Sequence, residues 1–239
     1  MNTTSVSLPK TKQLFSAGHR ACAGCGQVIA ARAVIEALGP NTIIANATGC
    51  LEVTTTPYPE SSWGVPWIHS LFENAAAIAS GILAALKQQG KDKTVKVLAQ
   101  GGDGSTFDIG FGLISGMWER GDNILYVCYD NEAYSNTGMQ ASGATPIGAN
   151  TTTTPAVGDE STGARQKKKD MLAIALAHGL PYVAQSTVGF LADIQAKVKK
   201  ALTMPGPGYI QIMVPCIPGW GIKPDQSLAL GRLGAQTGL

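Results

Sequence analysis

The sequence lacks the features of several classes of protein. It has no apolar run long enough to span a bilayer, since the longest, Ala75 to Leu86, is short and contains Ser80 and Gly81. Met1 to Gln13 lacks the apolar core of a secretory signal peptide. These absences predict a cytoplasmic protein without membrane contact.

Charge of either sign is scarce. The 239 residues include 18 Lys and Arg and 16 Asp and Glu, which leaves a net charge of +2. Such a balance provides no general attraction to nucleic acid, and we expect no nucleic-acid partner. The only basic run, Lys167-Lys168-Lys169, is interpreted as a solvated loop or helix start rather than a phosphate contact.

The length and the apolar content define the fold class. With 44% apolar residues and 29 glycines, the chain can bury one sizeable core, so residues 1–239 are expected to form a single domain. Apolar runs typical of strands alternate with helical patterns along the chain. This order predicts an α/β fold with a mostly parallel sheet covered by helices on both faces.

A βαβ unit in the middle of the chain carries the first candidate site. Two apolar runs end in small polar residues, and a helical pattern from Ser105 to Arg120 separates them. Both polar ends therefore lie at the carboxyl edge of a parallel sheet, where ligands bind. Gly102 and Gly104 would let the backbone approach a ligand, and Asp103 and Asn131 offer oxygens to a cation such as Mg²⁺.

Gly-Asp-Gly alone is usually a turn, but its spacing from Asn131 is the one that thiamine diphosphate enzymes use. In those enzymes Mg²⁺ is held against the diphosphate by the Asp and Asn side chains and by a carbonyl two residues later, here that of Ala133. Octahedral Mg²⁺ accepts few protein oxygens. Backbone N–H groups at the helix start after Gly104 would bind phosphate oxygens. The two signals together predict thiamine diphosphate binding.

The five cysteines form a second candidate site. Cytosolic thiols stay reduced, so a disulfide framework is not expected. Cys128 lies inside an apolar strand and is interpreted as a core residue. The other four lie in loops or at helix starts: Cys22, Cys25, Cys50 and Cys216. One close pair with two isolated cysteines favours a [4Fe–4S] cluster over zinc, but zinc and unligated or redox thiols remain open.

Several segments together resemble the β subunit of multi-subunit pyruvate:ferredoxin oxidoreductases, over nearly the whole chain. The segments are Gly18 to Gly26, Asn46 to Glu52, Phe72 to Ala75, Gly101 to Gly104, Asp130 to Gly138 and Pro215-Cys216. The resemblance implies the diphosphate-binding half of a thiamine diphosphate enzyme.

The resemblance also implies roles for individual residues. The ligands of a [4Fe–4S] cluster would be Cys22, Cys25, Cys50 and Cys216. The ligands of Mg²⁺ would be Asp103, Asn131 and the Ala133 carbonyl. Thiamine diphosphate would be contacted by Cys50, Gly102, Asp103, Gly104, Ser105, Asn131, Ala133, Tyr134, Ser135 and Asn136. Asn136 would face the substrate as a catalytic residue.

The implied activity is the oxidative decarboxylation of a 2-oxoacid, pyruvate above all, with coenzyme A to acyl-CoA, CO₂ and reduced ferredoxin. The implied partners are ferredoxin and subunits of the alpha, gamma and delta types, one of which would supply the glutamate that activates the aminopyrimidine. The alternatives are another 2-oxoacid (oxalate, 2-oxoisovalerate or 2-oxoglutarate), a non-redox thiamine diphosphate decarboxylase or synthase half, and a non-catalytic scaffold with a zinc or cluster site.

Some features depart from the family or have no assigned role. Gln27 stands where single-chain relatives carry a cofactor-contacting Glu, and Ala141 stands where many β subunits have Arg, which bears on the preferred 2-oxoacid. The chain stops at Leu239, where relatives usually continue, which suggests a shortened form. His69 could lie near the site, but it is interpreted as a packed or backbone-bonded histidine. The loop 139–169 shows neither helical nor strand periodicity and is interpreted as a lid or a subunit contact.

Overall fold

Six parallel strands form the main sheet of the computed structural model, which describes residues 13–238. The strands of the molecule are β1 (Thr42–Asn46), β2 (Trp67–His69), β3 (Lys96–Gly102), β4 (Leu125–Asp130), β5 (Ala133–Tyr134), β6 (Gln140–Ala141), β7 (Ala156–Val157), β8 (Ser161–Thr162), β9 (Tyr182–Thr187) and β10 (Gly208–Met213). The main sheet has the order β2-β1-β3-β4-β10-β9, and two antiparallel pairs, β5-β6 and β7-β8, lie outside it.

Helices cover both faces of the sheet, as the alternating pattern predicts. They are α1 (Gly26–Leu38), α2 (Cys50–Thr55), α3 (Ala75–Gln88), α4 (Phe111–Glu119), α5 (Met171–Ala177), α6 (Leu191–Ala201), α7 (Ile217–Trp220) and α8 (Ser227–Thr237). A π-helical turn, Gly104–Ile109, precedes α4, and a 3-10 turn, Pro224–Gln226, precedes α8. None of the helices in residues 13–238 has both the length and the apolar character needed to cross a bilayer.

The sheet separates two apolar cores. One contains α1 and α6, and the other contains α3, α4 and α5. Successive residues of β4 contribute to them in alternation: Val127 and Tyr129 face the first core, and Tyr126 and Cys128 face the second. Burial on both faces explains the continuous apolar run of this strand. Cys128 is fully buried, which confirms its interpretation as a core residue.

The strand order places a crevice beside β1 and β3. These strands are neighbours, but the chain continues from β1 to β2 on one side and from β3 to β4 on the other. The loops after β1 and β3 therefore diverge at their carboxyl ends and leave space between them.

Three local predictions were incomplete. The prolines of residues 57–68 are typical of a loop, yet the segment ends in β2, which pairs with β1 through Ile44 and Trp67. The helix expected from Ser105 to Arg120 is divided at Gly110, whose N–H donates to the Ser105 carbonyl five residues back, 2.9 Å away. A side chain at Gly110 would collide with that carbonyl. The helices after Cys216 were not predicted.

Two predictions concern residues outside the described range, apart from Gln13. They are the absence of a signal peptide in Met1 to Gln13 and the shortened form that ends at Leu239.

Candidate functional site

A cavity of about 180 Å³ lies at the carboxyl ends of β1, β3 and β4. It is lined by Gln27, Asn46, Ala47, Thr48, Gly49, Cys50, Leu51, Phe72, Gly101, Gly102, Asp103, Gly104, Ser105, Asn131, Ala133, Tyr134, Ser135, Asn136 and Thr137. Every residue that the sequence assigned to the cofactor site thus lines one cavity, including Cys50, which the sequence also assigned to the thiol site.

Asp103 lies at the bottom of this cavity, where β3 ends. Its side chain is almost fully buried, with 1% of its surface exposed. One carboxylate oxygen accepts a hydrogen bond from the Ser142 hydroxyl at 2.5 Å, and the other accepts from the Asn131 N–H at 3.3 Å. Within residues 13–238 it has no ion pair with a Lys, Arg or His side chain.

Burial, and then the charge of the nearby Asp130, raise the pKa of Asp103 well above its usual range. A buried carboxylate without a cationic partner is unfavourable in its ionised form. A cation bound beside Asp103 would remove this penalty, so the observed environment fits the predicted Mg²⁺ site.

The other two predicted Mg²⁺ ligands share a neighbour. The Ser135 hydroxyl donates to the Asn131 side-chain oxygen at 2.7 Å and is 3.5 Å from the Ala133 carbonyl oxygen. The backbone carbonyl of Asn131 is engaged separately, by the Trp220 indole N–H at 3.0 Å. Both oxygens therefore lie near the Ser135 hydroxyl, and they are of the kind that Mg²⁺ prefers.

The glycines of the Gly-Asp-Gly motif have different packing roles. A side chain at Gly104 would place its Cβ 2.3 Å from the Tyr134 ring. A Cβ at Gly102 would meet nothing closer than the Tyr129 carbonyl at 3.9 Å, and Gly102 lines the cavity. The space beside Gly102 is therefore available to a ligand, whereas Gly104 is required by the packing of the protein itself.

This difference predicts a contrast between two variants. Gly102→Ala is expected to keep the melting temperature of the wild type but to weaken thiamine diphosphate binding, because its methyl group enters the cavity. Gly104→Ala is expected to lower the melting temperature, because the methyl group displaces Tyr134. Thermal denaturation and calorimetric titration of both variants provide the check. Equal cofactor affinity in Gly102→Ala and wild type would show that no ligand occupies this space.

The predicted cluster cysteines are brought together by three packed segments. The segment of Cys22 and Cys25 is tied to α2, which begins at Cys50, by the Arg20 N–H bonded to the Thr54 carbonyl at 2.8 Å. The same segment packs on the chain around Cys216, since side chains at the two glycines flanking Cys25 would collide with backbone there: Gly24 with Pro224 and Gly26 with Pro215.

Two of the four thiols, those of Cys50 and Cys25, have raised pKa values. Burial raises the pKa of the Cys50 thiol to about 12, and the nearby Cys216 and Cys25 thiols add to the rise. Burial likewise raises the pKa of Cys25. Within the described range, no three His, Cys, Asp or Glu side chains form a group that could hold a metal ion.

Some contacts of the site were not anticipated. Ser142 and Trp220, which bond to Asp103 and Asn131, lie in stretches without periodicity. His69 Nε2 lies 2.7 Å from the hydroxyl of Thr48, which lines the cavity, so His69 lies one residue away from the cavity wall. Gln27 lines the cavity, whereas Ala141 pairs with Ala133 in the small sheet and is not among the lining residues.

Comparison with known proteins agrees with this geometry. The family described as "Thiamine pyrophosphate enzyme, C-terminal TPP binding domain" matches residues 47–212, and thiamine pyrophosphate is another name for thiamine diphosphate. Pyruvate synthase subunit PorB of Methanocaldococcus jannaschii is 55% identical over 234 residues, which cover 95% of this chain and 78% of that protein. The chain belongs to the β-subunit family of the 2-oxoacid:ferredoxin oxidoreductases.

The similar proteins include others named for pyruvate and some named for other 2-oxoacids. Pyruvate synthase subunit PorB of Methanosarcina barkeri is 54% identical, covering 98% of this chain and 78% of the relative. Ketoisovalerate oxidoreductase subunit VorB of Pyrococcus abyssi is 41% identical, covering 97% and 75%. A solved structure of 2-oxoglutarate:ferredoxin oxidoreductase from Magnetococcus marinus superimposes with a TM-score of 0.71 at 26% identity, covering 88% of this chain and 70% of that chain. The family consists of subunits of multi-subunit enzymes, and the predicted α/β fold is confirmed.

Proposed function

We propose that this chain binds Mg²⁺ and thiamine diphosphate in the cavity and a [4Fe–4S] cluster at Cys22, Cys25, Cys50 and Cys216. The subunit would act in the oxidative decarboxylation of a 2-oxoacid, pyruvate in the first place. Coenzyme A would accept the acyl group and ferredoxin the electrons. Its partners would be alpha-, gamma- and delta-type subunits.

The observation that carries the proposal is the position of Cys50. It lines the same cavity as Asp103 and Asn131, and it also belongs to the group of four thiols. A non-redox thiamine diphosphate enzyme would have no use for four thiols beside its cofactor. A scaffold with a zinc site would have no use for an uncompensated buried carboxylate beside those thiols. The redox proposal accounts for both groups.

The residues that line the cavity would have different roles. Asp103, the Asn131 side chain and the Ala133 carbonyl would hold Mg²⁺, and Gly102 would leave room for the diphosphate. Asn136 is exposed at the cavity wall, where it would orient the substrate. When bound, thiamine diphosphate supplies the nucleophilic carbon that attacks the keto group of the 2-oxoacid.

The cavity provides no evident base for the aminopyrimidine. Among the lining residues in the part of the chain that the structure describes, Asp103 has the only carboxylate, and none is a His or Lys. Asp103 is assigned to the metal, and Gln27 carries an amide that cannot accept the proton. Since proton transfer needs a base within hydrogen-bonding reach, a partner subunit would supply it.

We therefore expect the isolated chain, even with thiamine diphosphate, Mg²⁺ and an intact cluster, not to turn over any 2-oxoacid. Adding the partner subunits is expected to restore turnover. The measurement is reduction of ferredoxin or a viologen dye with pyruvate and coenzyme A, under anaerobic conditions. Robust dye reduction by the isolated, monomeric chain would mean that its own residues supply the base.

The 2-oxoacid is tested by the same assay. Relatives named for pyruvate and for ketoisovalerate both align over more than nine-tenths of this chain. A panel of pyruvate, 2-oxoisovalerate, 2-oxoglutarate and oxalate should give the highest kcat/KM with pyruvate. A higher value for one of the others would reassign the substrate and leave the cofactor proposal intact.

A further inference from the structure

The basic run at the end of the 139–169 loop is only partly solvated. Lys167 is exposed, as the sequence suggested, whereas Lys168 and Lys169 form ion pairs near the site. The Lys168 ammonium lies 2.8 Å from an Asp130 carboxylate oxygen and 3.0 Å from a Glu132 carboxylate oxygen. These two acids flank Asn131, a proposed Mg²⁺ ligand. Lys168 thus bridges the residues on either side of a metal ligand, from a position almost forty residues later in the chain.

The turn that Lys168 bridges has an unusual backbone. Glu132 has φ +68°, a left-handed conformation uncommon for residues other than glycine. Its N–H bonds to the Asp130 carboxylate at 3.0 Å, and its carbonyl accepts from the Thr145 hydroxyl at 2.6 Å. The Gln211 amide also donates to Asp130, at 2.8 Å. The orientation of Asn131 therefore depends on contacts made by its two neighbours.

Lys168 is the cation that pairs with the carboxylates of Asp130 and Glu132. The side chain of Asp130 is 1% exposed and that of Glu132 is 12% exposed. Two buried carboxylates without a cation repel each other and are costly to keep ionised. Removing the lysine would leave excess negative charge where an anionic diphosphate is to be bound.

Lys169 makes the corresponding contacts on the other half of the site. Its ammonium lies 2.7 Å from an Asp108 oxygen and also donates to the Phe107 carbonyl, both within the π-helical turn after Asp103. The second Asp108 oxygen accepts from the Tyr134 hydroxyl at 2.9 Å and from the Gly143 N–H at 2.8 Å. Asp108 therefore joins the turn after Asp103 to Tyr134, in the segment that follows Asn131, and Lys169 holds Asp108 in place.

We propose that Lys168 and Lys169 are positioning residues that fix the two metal-bearing segments of the site, Lys168 the Asn131 turn and Lys169 the turn after Asp103. The 139–169 loop then holds both segments in place. It also contacts Asp103 directly, through the Ser142 hydroxyl. This inference rests on the proposed Mg²⁺ and thiamine diphosphate site.

The test uses the assembled complex, freed of cofactor by chelation and titrated calorimetrically with thiamine diphosphate at fixed Mg²⁺. Lys168→Met is expected to bind about 10- to 100-fold more weakly at unchanged stoichiometry, the usual loss when an outer-shell partner is removed. Lys169→Met is expected to bind about two- to fivefold more weakly, because Lys169 is half exposed. The matched control Lys167→Met, at an exposed position, should bind like the wild type.

A charge-conserving variant distinguishes a positioning role of Lys168 from a general loss of folded protein. Lys168→Arg keeps the charge and is expected to bind more tightly than Lys168→Met. A Lys168→Met complex that binds fewer cofactor molecules at unchanged affinity would overturn the inference, since its loss would be one of folded sites. Should Lys168→Met fail to fold, Lys168→Gln, which removes the charge but keeps a polar side chain, takes its place. Affinity equal to that of Lys167→Met in both Lys168→Gln and Lys169→Met would overturn the inference.

The two proposals fail in different ways. A wild-type complex that does not bind thiamine diphosphate with Mg²⁺ would overturn the proposed function and this inference with it. A wild-type complex that binds normally, with Lys168→Met within twofold of it, would overturn only the positioning role.

Discussion

Asp103→Ala is expected to abolish Mg²⁺-dependent binding of thiamine diphosphate. Asp103 is the only carboxylate on the cavity wall in the described part of the chain, and it lies beside Asn131. Removing an outer-shell partner alone costs about 10- to 100-fold in metal affinity. The loss of a direct ligand of a cation that accepts few protein oxygens should exceed this. Calorimetric titration with and without Mg²⁺ provides the measurement.

A matched variant isolates the charge. Asp103→Asn keeps the shape of the side chain and is expected to lose nearly as much cofactor affinity, because the neutral amide attracts the cation far less. Neither variant should lower the thermal stability of the cofactor-free protein by much, since the ionised carboxylate is itself unfavourable in its buried position. Unchanged cofactor affinity in Asp103→Ala would refute the metal assignment.

Asn136→Ala should lower turnover more than it lowers the affinity for thiamine diphosphate.

The sequence was informative wherever chemistry coincided with the end of a strand. Asp103 and Asn131 could be placed at one edge because each follows a buried apolar run, and parallel strands expose their carboxyl ends together. Cys50 lies at the same edge for the same reason, since it follows the apolar run from Thr42 to Asn46. These local signals need no knowledge of how distant segments pack.

Contacts between distant segments could not be predicted in this way. Lys168 stands 38 positions after its partner Asp130, and Trp220 stands 89 positions after Asn131. Neither residue lies in a segment whose helical or strand periodicity shows which face is buried. The run Lys167-Lys168-Lys169 was therefore interpreted as solvated. The ion pairs arise only because the 139–169 loop folds back on the site.

The last helix was missed for a related reason. Helix α8 contains Gly231 and Gly234, which lower helix propensity. In the structure Gly231 packs on Gly189 so closely that a Cβ would lie 2.6 Å from its nitrogen. The helix therefore depends on close packing of backbone on backbone, a tertiary effect that overrides the local preference.

The cysteines provide the other large expected effect, on iron content. The anaerobically purified complex is expected to be brown, with about four iron and four sulfide attributable to this chain, because four thiolates complete the shell of a [4Fe–4S] cluster. Cys216→Ser should labilise this iron. Cys216 lies between β10 and α7, at the N-cap of that helix, and the chain around it packs against the segment of Cys22 and Cys25.

Cys128→Ser is the control that makes this result interpretable. Cys128 is fully buried in the core on one face of the sheet, so its replacement should leave the iron in place, at some cost in stability. Iron, sulfide and metal analysis of the wild type and both variants after anaerobic purification provides the measurement. Stoichiometric zinc without iron would exclude the cluster. Equal loss of iron from Cys128→Ser and Cys216→Ser would mean that the iron depends on the integrity of the fold in general, and the assignment of Cys216 as a ligand would lose its support.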